Sequence, residues 1–109
     1  MVIDDFKLKK AMVILFNRYI YILKKNPFDS DIDKCDSNSL IALSREAIEK
    51  IESLPLDKLN RWLGFIQGVA ILNGVLTVDG ERDFSRPLFK NAYGSDVESI
   101  DVKNLKRTN

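Results

Sequence analysis

The sequence predicts an all-α fold: a compact bundle of four main helices, the third at its centre, with a loose polar C-terminal tail. Three observations lead there. Apolar residues recur at three- and four-residue spacing in four segments, the period of a helix face. Pro27, Pro55, Gly74 and Thr77 fall between those segments, where helices stop and start. The third segment is apolar around roughly 200° of its circumference, about twice the stripe that a surface helix needs.

The first helix opens at Asp4 and Asp5 and closes at Lys24 and Lys25, so that charges of each sign lie at the dipole end that favours them. Leu8, Met12, Leu15, Tyr19 and Ile22 form one stripe, and Phe6, Val13, Phe16, Ile20 and Leu23 its neighbour. Lys7, Lys10, Asn17, Arg18 and Tyr21 are left for the wet side. Asn26 ends the helix because the residue before proline avoids helical backbone angles.

The following stretch, NPFDSDIDKCDSNS, is a loop by its turn chemistry. Its acids begin like a calcium loop, at Asp29, Asp31 and Asp33, but the glycine and the closing glutamate of such a loop are missing. No metal or other cofactor is expected.

Ser37 or Ser39 is positioned to cap the second helix, which runs to about residue 53 with Leu40, Leu43, Ala47, Ile51 and Leu54 on its apolar face. Arg45/Glu49 and Glu46/Lys50 are paired outside at i,i+4. Pro55 suits the first turn of the third helix, and Gly74 is its terminating residue. Thr77 caps the fourth, which Pro87 kinks or stops; residues 88–93 form a further turn ended by Gly94. Residues 1–94 are thus read as one helical domain and 95–109 as a polar tail.

Composition narrows the function. With 17 basic and 16 acidic side chains the net charge is +1, which argues against a dedicated nucleic-acid binder and equally against an acidic DNA mimic. There is no histidine, so histidine-based nucleophile systems are excluded. The single Cys35 allows no intrachain disulfide and no thiolate metal cage, and it fits a reducing cytoplasm. The longest apolar run, residues 11–16, is far short of the roughly 20 residues of a membrane span. The N-terminus carries acids ahead of that run and no small-residue cleavage site, unlike a secretory signal.

Two stretches stand out. RWLGFIQGVA places Gly64 and Gly68 one turn apart inside a helix, where each costs about 1 kcal/mol relative to alanine. Three readings account for them: a crossing helix of the same chain, a subunit interface, or a ligand against bare backbone rimmed by Arg61 and Trp62. The second stretch, DGERDFSRP, alternates acids and bases. Arg82 and Arg86, one turn apart, are spaced to hold an anionic ligand or to bridge Asp79, Glu81 and Asp83. Around Pro87, Phe84, Arg86, Phe89 and Tyr93 are the aromatic and arginine residues that anchor protein interfaces.

Taken together, KLNRWLGFIQGV and ERDFSRPLF within residues 56–93 resemble a family of small accessory proteins encoded by tailed bacteriophages. The resemblance spans 38 of the 109 residues and carries over no catalytic residues. It implies a protein made in the cytoplasm of an infected bacterium. The expected function is that of a non-enzymatic binding protein that engages and inhibits or redirects a host protein, as an anti-defence factor of the anti-CRISPR type does. Its interface residues would be Gly64, Gly68, Phe84, Arg86, Phe89 and Tyr93. A second reading is an oligomer that sequesters a nucleotide signal through Arg61, Trp62, Arg82 and Arg86. A third is a nucleic-acid binder that uses the stripe of Lys7, Lys10 and Arg18. A homo-oligomer suits the first two readings.

Overall fold

The computed structural model describes residues 5–93, which form four helices and no strand. They are α1 (Asp5–Lys25), α2 (Ser37–Glu49), α3 (Leu56–Leu72) and α4 (Val78–Tyr93). The bundle predicted from periodicity is therefore present. Gly94 and the tail 95–109 lie outside the described residues, as does Asp4 at the start of the first helix.

The hub of the bundle is α1 rather than α3. It packs against each of the other three helices, while α2 also packs against α3. Leu8, Ala11, Met12, Leu15, Phe16, Tyr19 and Leu23 are buried on α1, against only Leu59, Leu63, Ile66 and Ala70 on α3. The wide apolar arc of α3 suggested the central place, but the outer edge of that arc is not covered. Trp62 and Val69 pack at the edge of the core, Phe65 is 40% exposed and Leu72 is 88% exposed. Periodicity counts apolar residues; it does not say whether this chain supplies the atoms that cover them.

The helix ends follow local chemistry. Asp36, rather than either serine, caps α2: its carboxylate accepts from the Ser39 amide at 3.1 Å and from the Ser39 hydroxyl at 2.6 Å. These bonds, the hydroxyl's first, hold the Asp36 carboxyl below its ordinary pKa. Ser37 instead pins the loop, since its Oγ accepts from the Phe28 amide and donates to the Phe28 carbonyl. That holds the half-buried Phe28 against the core. Helix α2 ends at Glu49, short of the expected residue 53, where turns closed onto the Lys50 carbonyl by Ser53 and Leu54 redirect the chain to Pro55.

Gly74 ends α3 as expected, in the left-handed region at φ 74°. The amides of Gly74 and Val75 donate to the Ile71 and Ala70 carbonyls, a Schellman closure that needs this backbone conformation. Thr77 caps α4, its Oγ1 accepting from the Gly80 amide at 3.0 Å. The helix continues through Pro87 instead of stopping there.

Candidate functional site

Beside the apolar core lies a polar network that joins α1, α3 and α4. Gln67 Nε2 donates to Tyr19 Oη at 2.7 Å, and Tyr19 Oη donates to Glu81 Oε1 at 2.5 Å. Arg18 Nη1 donates to both Glu81 oxygens, at 2.7 and 2.6 Å. The Arg18 guanidinium also lies 4.2 Å from the centroid of the Phe84 ring. Glu81 and Tyr19 are buried. Burial, and then the bond to the Glu81 carboxylate, push the Tyr19 hydroxyl well above the ordinary phenol pKa. Tyr19 therefore keeps its proton as a donor to Glu81. Among the described residues no buried side-chain nitrogen or oxygen lacks a hydrogen-bond partner, so the network works as a pin between helices.

Sequence reasoning missed this network. It placed Tyr19 in an apolar stripe, Arg18 on the wet side and Glu81 among the acids that Arg82 and Arg86 could bridge. The signals were present. A buried tyrosine hydroxyl needs a partner, and the 81–85–88 spacing puts Glu81 on the same face of α4 as the core-packed Leu88.

The structure separates several residues that the sequence grouped. Among the described residues no crossing helix meets Gly64 or Gly68: a Cβ built on either would find no atom within 4 Å beyond its chain neighbours and its own helix backbone. Within residues 5–93 the same-chain reading of the two glycines is thus overturned. They lie on the solvent pole of α3, opposite Leu59, Leu63, Ile66 and Ala70, with Arg61 and Leu72 beside them. Trp62 turns away from that pole into the edge of the core, with Lys58 Nζ 5.5 Å from its ring centroid.

On α4, Phe84 and Arg86 are two residues apart and so point about 160° away from each other. Phe84 covers Arg18, Phe89 packs against the core, and Arg82 and Arg86 are exposed. The side chain of Tyr93 lies outside those described. The residues around Pro87 do not make one surface. Among the described residues Arg82 and Arg86 form no ion pair with Asp79, Glu81 or Asp83, and Arg45 forms none with Glu49; Glu46 and Lys50 do pair, at 3.3 Å. Arg18 leaves the basic stripe proposed for nucleic acid, because Glu81 holds it.

What α1 presents outward is a ridge that mixes apolar and basic groups. Phe6 is 72% exposed, Tyr21 60% and Ile14 43%, and Lys10, Asn17, Lys24 and Lys25 lie among them. Lys10 Nζ lies 5.7 Å from the Phe6 ring centroid and Lys25 Nζ 4.4 Å from that of Tyr21. Along one side of the ridge runs a shallow groove of about 190 Å³, lined by Lys7, Lys10, Ala11, Ile14, Leu88 and Asn91.

No helix among the described residues is long and apolar enough to cross a membrane. Comparison with protein-family models, with curated proteins and with solved structures returns no match.

Proposed function

We propose that this chain is a non-enzymatic protein-binding factor that engages a host protein in an infected bacterium, with the outer ridge of α1 as its working surface. The observation that carries the reading is the exposure of Phe6, Ile14 and Tyr21 on one helix face, interleaved with lysines. Aromatic side chains with few rotatable bonds anchor interfaces at low entropic cost, and the lysines around them favour an acidic partner and steer its approach. The adjoining groove offers an apolar floor at Ala11, Ile14 and Leu88. The phage-like blocks in α3 and α4 supply the context of infection and an anti-defence role. They lie on other helices and do not build this ridge.

The experiment is affinity capture from lysate of infected cells, with bound proteins, nucleic acids and small molecules all analysed. Wild type should retain an acidic protein that the Phe6→Ala/Tyr21→Ala variant loses while keeping its helical circular dichroism. Retention of nucleic acid or a nucleotide in place of a protein would overturn the reading.

A further inference from the structure

We propose that the outer face of α3 is a self-association surface, on which a second copy of this chain docks its own α3 antiparallel. This inference is independent of the role given to α1. Leu72, the most exposed large apolar residue of those described, and Phe65 sit on this face. Beside them Gly64 and Gly68 leave the backbone bare over one turn, and among the described residues nothing occupies the space of either missing Cβ. Two residues that weaken a helix therefore stand at a place where no described residue uses the room they leave. A helix from outside can seat on the bare strip they leave, with Phe65 and Leu72 along one side of it and Ile71 along the other.

The charges on α3 select the occupant and its direction. The helix has Asp57 in its first turn and no basic residue in its last, so no cation of its own faces its negative C-terminal end. An antiparallel two-fold centred between the glycines sets Gly64 of one copy against Gly68 of the other. The same register brings Arg61 of each copy to the last turn of the other's α3, supplying the missing cation, with its aliphatic stem beside Leu72. A parallel arrangement would place Arg61 against Arg61. A patch that complements itself in this way makes a closed, isologous dimer, and a net charge of +1 opposes pairing of copies only weakly.

The test is sedimentation equilibrium of the full chain from about 5 to about 500 µM. Wild type should be dimeric in that range, and Gly68→Leu, which fills the bare strip, should weaken the dimer at least about tenfold with helical content retained. Leu72→Glu, at a position 88% exposed, should do the same with helical content retained. Orientation is read in a Cys35→Ser background. Chains carrying Gly64→Cys mixed with chains carrying Gly68→Cys should cross-link to each other under mild oxidation, while neither cross-links to itself. A monomer across the whole range, a dimer indifferent to both Gly68→Leu and Leu72→Glu, or self-cross-linking of each cysteine variant would overturn the proposal.

Discussion

Arg18 and Glu81, 63 positions apart in sequence, meet through one guanidinium nitrogen that donates to both carboxylate oxygens, at 2.7 and 2.6 Å. This pair ties the hub helix to α4, whose other inward groups are few. The Glu81 side chain is 8% exposed and that of Arg18 22%, so the carboxylate loses more hydration than the guanidinium does. Removing one partner strands the other, and Glu81→Ala should destabilise the fold by about 2–4 kcal/mol. Replacing both, as Arg18→Met with Glu81→Leu, should cost less than the sum of the single changes. A urea-denaturation double-mutant cycle measures the coupling, expected at about 1–3 kcal/mol; additive effects would mean that the pair carries no stability.

Tyr19 makes stability depend on alkaline pH. Its folded pKa is raised above the ordinary value of 10.0, by burial first and by the Glu81 carboxylate second. The folded state then keeps a proton that the unfolded chain releases above that value. The stabilisation is complete below pH 10.0 and is lost as pH rises toward the folded pKa, at up to about 1.4 kcal/mol per pH unit. Tyr19→Phe should remove this component. In a phenolate absorbance titration, one of the three tyrosines should ionise only as the protein unfolds.

Gly80 should resist a substitution that usually helps a helix. An alanine Cβ there would lie 2.7 Å from Thr77 Oγ1, the atom that caps the Gly80 amide. Gly80→Ala therefore forces the cap aside, and the propensity gain of about 1 kcal/mol is offset by a cap loss of similar size. In a Thr77→Ala background the same change should recover the full gain. Thermal denaturation of the four proteins checks this; a stabilising Gly80→Ala in wild type would show that the cap does not depend on Thr77.

The two sides of α3 should respond very differently to truncation. Ile66→Ala removes a fully buried side chain from the core and should cost about 2–5 kcal/mol. Phe65→Ala should cost the folded monomer under about 1 kcal/mol, because much of the ring already faces water. Chemical denaturation at a concentration low enough to populate monomer separates them. Equal costs would mean that α3 is covered on both sides.

What was legible in the sequence was largely local. Helix periods, the Gly74 terminator and the Thr77 cap depend on neighbouring residues, and each stands where its chemistry placed it. The hub was misplaced because Phe65 and Leu72 read as core by type, although Leu72 stands almost wholly, and Phe65 partly, in solvent. The Asp36 cap was passed over for a serine because all three residues fit the position, and only the loop geometry reserves Ser37 for Phe28. The network was hidden because its members come from three helices, and Arg18 and Glu81 each had a plausible local role. The grouping around Pro87 failed for a geometric reason: positions two apart on a helix face nearly opposite ways, however close they stand in sequence.

The most direct measurement of the proposed working surface is site-specific photo-cross-linking in infected cells. A benzophenone-bearing phenylalanine would replace Ile14 or Tyr21 on the α1 ridge, or Glu49 at the exposed end of α2 as the control. The expected result is an adduct with one and the same bacterial protein from positions 14 and 21 and none from position 49. No adduct at either ridge position, or equal adducts from position 49, would contradict a function exerted through this face.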